Sequence, residues 1–418
     1  MQRRSVRILT LALCALTALP AISEVDKSLT MEIGDPARKD KKAVLVLDAI
    51  TDTRTGELLS PAELAGKLDG VRLVLMGESH TEVEFHRAQL QLIKALHDAG
   101  RNVIVGLEMY PYTKQEFLDN WYSGRYTEQG FLETSRWYDA WGYHWDYYRP
   151  IFLFARDNGL PMYGLNTPRD VIAAVRKKGF DELTEEEREL MPPSVDTDND
   201  EHFALFKSYF EDEDFHATMT DEQWKGMFDA QCTWDATFGN NALKVFEKHP
   251  DPNTVLVVLV GSGHTTYDLG IQRQIQQWDK DLPIATVIPI PVQEWDEDEP
   301  IGEVQASFAD FIWGMPQETD PIYPTLGIST RSTGDEGQRT VIYVAEDSVG
   351  EQAGFQLKDL LLSLDDQPIR SREDLALFMS EMRWGDRAVA KVMRGEEEVT
   401  LDVAFRRELP EPDEEDGE

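Results

Sequence analysis

Six short runs in this chain are apolar without alternation: AVLVLD (43–48), VRLVLMG (71–77), NVIVGLE (102–108), LPMYGLN (160–166), NTVLVVLVG (253–261) and PIATVIPI (283–290). A strand with one wet face alternates apolar and polar residues. A run that is apolar throughout must be covered on both faces, which a parallel sheet between two helical layers provides. Helix-like stretches separate the runs, so the pattern predicts an α/β fold of the α/β/α type with a mostly parallel sheet, over about residues 40–291. One helix is spelled out in TPRDVIAAVRKKG, where Thr167 is placed to cap, Pro168 to open and Gly179 to stop it. Residues 181–222 are acidic and irregular, and read as helices joined by a loop around PPSVDTDND.

Four of the runs end in residues able to do chemistry: Gly77-Glu78-Ser79-His80, Gly106-Leu107-Glu108, Asn166 with Arg169 just beyond, and Gly261-Ser262-Gly263-His264. In a parallel sheet the carboxyl ends of all strands lie on one edge, so these distant residues are expected to meet in one crevice. Two histidines and a carboxylate form a familiar ligand set for a divalent metal, which makes His80, Glu108 and His264 metal candidates. His86 lies on the face shared by Val83, Leu90 and Ile93 of a helix starting near Thr81, and reads first as a satisfied core histidine. Ser79 and Ser262 stand outside any G-x-S-x-G elbow, which argues against a serine hydrolase; Ser79 and Thr81 suit helix caps.

The stretch RWYDAWGYHWDYYRP (136–150) gathers three Trp, four Tyr and His144 into fifteen positions. Such rings read first as core, and second as the apolar wall and axial donor that a haem requires.

Composition narrows the setting. The 418 residues exceed one ordinary domain, and an apolar content of 41% fits globular units. A formal charge of −37 sets the chain against nucleic acid and anionic membrane surfaces. The opening MQRRSVRILTLALCALTALPAISEV has the basic, apolar and small-residue regions of a secretory signal, with cleavage expected after Ser23. Export to the periplasm or envelope follows. A lipid anchor at Cys14 is disfavoured by the bulky Leu13 before it. With the signal removed, Cys232 alone remains, so no intramolecular disulfide can form. No transmembrane helix is expected after the signal.

The segments MGESHTEVEFHRAQLQLI, VGLEMY, YYRPIFLFARDNGLPMYGLNTPRDVI and LVGSGHTTYDLG resemble the ChaN-type haem-binding uptake proteins, related to the Tiki and TraB proteins and more distantly to erythromycin esterases. The likeness covers about 40–290, in order and with similar spacing. It implies an α/β/α fold with a pocket at the strand ends, and haem or iron handling at the bacterial envelope. By motif position it carries over His80, His86, Glu108, Asn166, Arg169 and His264 as pocket residues, with Asp235 in WDATFGNNAL a weaker addition. Tyr110, Tyr112, Tyr143 and His144 are the candidates for the haem ligand. The Tiki branch implies a second chemistry, metal-dependent peptide cleavage by His80, Glu108 and His264, with Glu78 shuttling a proton.

After an acidic, Pro-rich stretch at 292–322, read as a linker, residues 323–407 resemble a bacterial, protease-associated PDZ domain. The carriers are the loop Thr325–Ile328, AEDSVGEQAGF, LLSLDDQPI and the late hairpin MRGEEEVTLDV. A PDZ domain adds a peptide as a strand and holds its C-terminal carboxylate on loop N–H groups, here those of Leu326, Gly327 and Ile328. Thr325 and Lys358 stand where such domains commonly have glycine. The tail at 408–418 is acidic and expected to be disordered. Three readings therefore stand: a haem- or iron-binding envelope protein with a PDZ partner module, a metal-dependent hydrolase, or a scaffold. A homodimer stays open.

Overall fold

The computed structural model describes residues 27–210, 219–292, 302–317, 321–333 and 338–406. The signal segment, Cys14 and the acidic tail lie outside the described residues. Two compact units emerge, and neither is continuous in sequence: among the described residues one joins those of 27–136 to those of 146–317, the other joins 137–145 to those of 321–406.

The larger unit is built on an eight-stranded sheet. Its strands are β2 (Ile50–Asp52), β3 (Leu58–Leu59), β4 (Leu73–Glu78), β5 (Asn102–Pro111), β6 (Met162–Asn166), β7 (Thr254–Gly261), β8 (Ile284–Val292) and β10 (Phe311–Pro316), in the order β3-β2-β10-β8-β4-β7-β5-β6. From β10 to β6 all neighbours are parallel; β2 and β3 close the other edge antiparallel. All six residues of β4 are buried, as its unalternating sequence requires. Register aligns Glu78 with Gly261 and Leu107 with Leu259, so β4, β7, β5 and β6 end side by side on one edge. Behind this edge runs the helix Asp221–Lys248, opened by a capping box of Thr220 and Gln223 and buried along much of its length.

Several expectations need correction. AVLVLD gives only β1 (Lys42–Val44), which pairs antiparallel with β9 (Glu303–Gln305) outside the main sheet; its burial alternates, with Ala43 inside and Val44 out. Much of the presumed linker is not linker: β10 lies inside the sheet with Ile312 and Trp313 buried, because the acidic flanks hide a short apolar strand. The helix after β6 starts at Arg169 with Pro168 as N-cap, since the Thr167 hydroxyl donates instead to Thr237 Oγ1 at 2.5 Å. Ser79 and Thr81 do not cap the next helix, which runs Val83–Asp98 with Glu82 at its N-cap; residues 79–82 form a turn first. Among the described residues no helix is long and apolar enough to cross a membrane.

The smaller unit carries an antiparallel sheet of β11 (Ile328–Thr333), β12 (Gln338–Val344), β13 (Leu360–Leu364), β14 (Gln367–Pro368), β15 (Arg387–Arg394) and β16 (Glu397–Ala404), ordered β11-β12-β13-β15-β16 with β14 on β13. Its core gathers Val341, Leu361, Phe378, Val392 and Phe405. The expected helices are present: Val349–Ala353, capped by Ser348 and ended by Gly354, and Arg372–Glu381, with a capping box of Ser371 and Asp374. Residues 137–145 belong to this unit. Arg372 Nη2 donates to the Trp141 carbonyl at 3.1 Å, and the His144 ring stacks on Tyr323 at 3.6 Å between centroids.

Candidate functional site

The strand-end residues converge as two histidine–carboxylate pairs beside a third carboxylate. At the end of β4, His80 Nδ1 lies 2.8 Å from Glu78 Oε1. Beyond β7, His264 Nδ1 lies 2.6 Å from Asp235 Oδ1, which the helix Asp221–Lys248 delivers from behind. A carboxylate only accepts, so each Nδ1 carries the proton and each Nε2 is turned away from its clamp. Glu108 stands between: its Oε2 accepts from the Gly261 N–H at 2.8 Å, and its Oε1 is 3.8 Å from His264 Nε2. A β-carbon at Gly261 would sit 3.5 Å from His80 Nε2 and 3.7 Å from Glu108 Oε2, so both groups border the same backbone point.

A bulge aims Glu108. The pairing of β5 with β6 slips between Leu107 and Pro111, a local departure that redirects side chains near sites. Asn166 Nδ2 donates to the Glu108 carbonyl at 2.7 Å, satisfying the displaced backbone. Gly164 is required opposite, since a β-carbon there would lie 2.8 Å from the Tyr110 carbonyl oxygen.

Glu78, expected to shuttle a proton, has both carboxylate oxygens committed to hydrogen bonds. Its side chain is buried, and it accepts from His80, from the Tyr148 hydroxyl at 2.7 Å and from Gln89 Nε2 at 2.6 Å. Burial raises its pKa, yet the charge of His86 and the bonds from His80 and Tyr148 outweigh it and hold the carboxyl at about 2. Burial likewise works against charge on His80 and His264. Glu78 and Glu108 outweigh it at His80, Asp235 and Glu108 at His264, so both imidazoles stay above their ordinary pKa.

His86 lies beneath, 3% exposed, with Nδ1 3.1 Å from Gln89 Oε1 and Nε2 3.2 Å from the His80 carbonyl. It supports the site from the core face, and both of its nitrogens already face partners. Behind Asp235 stands His202, whose pKa burial and Arg273 push down to about 3. Trp234 and Phe238 approach His264 edge-on, at 6.1 and 5.3 Å.

Other candidates fall elsewhere. Tyr110 is fully buried, donates to Ser135 Oγ at 2.7 Å and has its pKa driven up by burial, because it points from the bulge into the core. Tyr112 donates to the Leu190 carbonyl at 3.2 Å, and burial raises its pKa too. Tyr143 and His144 belong to the smaller unit, where His144 Nε2 lies 2.9 Å from the Ser380 carbonyl oxygen. Arg169 opens its helix from an exposed position. The metal reading of His80, Glu108 and His264 finds no support: among the described residues no three His, Cys, Asp or Glu side chains form a group able to hold a metal ion. The short contacts join each histidine to its own clamp, and His264 Nε2 stands 3.8 Å from Glu108.

Sequence reading missed Tyr148, Gln89 and Gln231, whose Nε2 lies 2.9 Å from His264 Nδ1. The aromatic stretch held the first, but its partner lies seventy positions earlier. In the smaller unit Leu326 is buried, its carbonyl accepts from the Gly350 N–H at 2.7 Å, and the Gly327 carbonyl accepts from Ala345 at 2.8 Å, while Ile328 opens β11. Lys358 adopts the left-handed conformation (φ 75°) that glycine commonly supplies there.

Residues 64–275 match the family described as haem-binding uptake, Tiki superfamily, ChaN, and residues 324–405 match the PDZ domain. The chloroplastic protein RETICULATA-RELATED 5 of Arabidopsis thaliana is 30% identical over 138 residues, 30% of this chain; the chain spans only 18% of that relative. Among solved structures, ChaN of Campylobacter jejuni with cofacially bound heme is 19% identical, covering 63% of this chain and 95% of that one at a TM-score of 0.49. The HtrA3 PDZ domain bound to a phage-derived ligand is 18% identical, covering 19% and 82% at a TM-score of 0.18. The first match takes in more than half of the 418 residues and all four strands that end at the site. The chain therefore belongs to the ChaN haem-binding uptake family of the Tiki superfamily and carries a PDZ domain after it.

Proposed function

We propose that this chain is an exported haem-binding protein whose strand-end crevice takes the iron through His80 and His264, and whose PDZ domain engages a peptide or protein partner of the envelope. The observation that carries the reading is the pair of carboxylate-clamped imidazoles. A carboxylate on Nδ1 fixes the tautomer and makes Nε2 a stronger donor, the arrangement found behind metal-bound histidines. Haem iron accepts imidazole donors, so the donor set fits the group, and the half-buried Trp234 beside His264 would supply apolar surface. Bound haem would supply its own redox and ligand chemistry. The protein's residues would hold and orient it, with the Nε2 lone pairs of His80 and His264 as the donors. Glu108, held by the Gly261 N–H, places its Oε1 3.8 Å from His264 Nε2 at the same mouth.

The test is a haemin titration of the purified mature chain, followed in the Soret band, with elemental analysis of the same preparation. A shift that is lost in both His80→Ala and His264→Ala supports the reading. Stoichiometric divalent metal without a haem response would replace it with the hydrolytic one, and binding of neither would leave a scaffold. N-terminal sequencing of the exported chain checks cleavage after Ser23.

A further inference from the structure

The motif GSGHTTYDLG contains more than His264. Tyr267 and Asp268 follow it with φ of 60° and 59°, two successive non-glycine residues in the left-handed region. Such a backbone persists only where its surroundings over-determine it. Here they do. The Tyr267 N–H donates to the Phe308 carbonyl at 2.8 Å, and its ring packs edge-on against Phe308 at 5.3 Å. Its hydroxyl, fully buried, donates to the Ser28 carbonyl at 2.5 Å and accepts from the Met31 N–H at 3.1 Å. Asp268 accepts from Thr286 Oγ1 at 3.2 Å and lies 3.5 Å from Arg38 Nη2.

The gripping groups come from the arm at residues 28–38, which the haem-site reading leaves unused. The arm is itself fixed: Ser307 Oγ donates to the Ile33 carbonyl at 2.7 Å, and the Gly34 N–H to Glu201 Oε2 at 3.0 Å. Gly34 has φ 80°, and a β-carbon there would come within 2.9 Å of the Tyr267 carbonyl oxygen, so arm and turn are in close contact. Only Thr265 and Thr266 separate this turn from His264, and the Thr265 N–H is tied back to Ser262 at 2.9 Å. The backbone of His264 is thus held at one end by β7 and at the other by a strained turn that the arm pins.

We propose that Tyr267 is a positioning residue for His264: its hydroxyl, gripped by Ser28 and Met31, keeps the Tyr267–Asp268 turn in its left-handed form and so sets the imidazole against Asp235. This rests on the reading of His264 as a ligand-binding group. Tyr267→Phe removes the grip and keeps the ring; Gly34→Ala disturbs the same contact from the arm and leaves Tyr267 intact.

The experiment uses the full chain labelled with nitrogen-15 at histidine. Imidazole spectra report which nitrogen of His264 is protonated, and haemin titration reports affinity. In both variants the His264 signals should move away from the single Nδ1–H form while those of His80 stay. Haemin should bind about tenfold more weakly, the effect of losing one hydrogen bond's worth of positioning. Unchanged His264 signals and unchanged affinity, with faster amide exchange at Met31, would overturn the proposal and leave the arm a local packing element. If the wild-type chain gives no haem response, the haem reading fails, and the positioning role still stands or falls on the His264 signals. Should Tyr267→Phe not fold, Gly34→Ala decides alone.

Discussion

Glu78 shows how one buried carboxylate sets the state of its neighbours. It accepts from His80, Tyr148 and Gln89 at once, with His86 3.6 Å away. Replacing it by glutamine turns one acceptor into a donor facing donors. Removing one partner of such a buried pair costs about 3–5 kcal/mol, so Glu78→Gln should lower stability by that order in denaturant melts. The pH dependence follows from its depressed pKa. The contribution is fully present above the ordinary value of 4.5 and is lost as pH falls toward about 2. Asp268 works in the opposite sense. Burial and the Asp310 carboxylate push it up to about 7 from 3.8, so its contribution is present below 3.8 and lost as pH rises through 7. Thermal melts at pH 6 and 8 should show the melting temperature falling with pH, and Asp268→Asn should flatten that slope. An equal slope in the variant would rule this origin out.

At the level of elements, the legible part was the sheet. Five of the six unbroken apolar runs are parallel strands of the main sheet, and parallel strands bring their ends together, which is why His80, Glu108 and His264 were readable as one site. The bulge after Leu107 was not readable, because it depends on Asn166 and Gly164 across the strand pair and leaves no local sequence sign. For the same reason the tyrosine that reaches the site is Tyr148, donating to Glu78, while Tyr110 turns inward on the bulge. The strand β10 was hidden between Asp310 and Pro316; Asp310 is buried and paired with Arg38 and Arg54, so its charge marks no solvent-facing loop. The bulge also gives a test. Gly164→Ala would press a methyl group against the Tyr110 carbonyl, and overpacking of this kind costs about 1–3 kcal/mol. Because the displaced strand carries Glu108, the variant should lose haemin affinity along with stability. A loss of stability with affinity intact would show that the bulge does not aim Glu108.

On the scale of the whole molecule, the sequence boundary and the physical boundary of the PDZ-containing unit differ. Residues 137–145 arise inside the ChaN-family region yet fold with the described residues of 321–406. The helix Arg372–Glu381 is held at both ends by this segment: Arg372 donates to the Trp141 carbonyl, and His144 Nε2 meets the Ser380 carbonyl while its ring stacks on Tyr323. Arg383 lies over the same Tyr323 ring at 5.0 Å, adding a cation–π contact. Gly142 turns the segment at φ 90°, where a β-carbon would meet the Arg372 guanidinium. A fragment cut at the apparent domain edge, residues 321–406, keeps its own core but loses the Arg372–Trp141 and His144–Ser380 hydrogen bonds and the ring stacked on Tyr323. Each is worth about 1 kcal/mol, and 1 kcal/mol moves the melting temperature of a domain this size by roughly 4–8 °C. The fragment should therefore melt well below the same unit in the intact chain, and a synthetic peptide spanning 136–146 should raise its melting temperature. The same peptide carrying His144→Ala should raise it less. If the peptide has no effect at saturating concentration, the PDZ domain folds independently of the segment, and the seat of residues 137–145 contributes nothing to its stability.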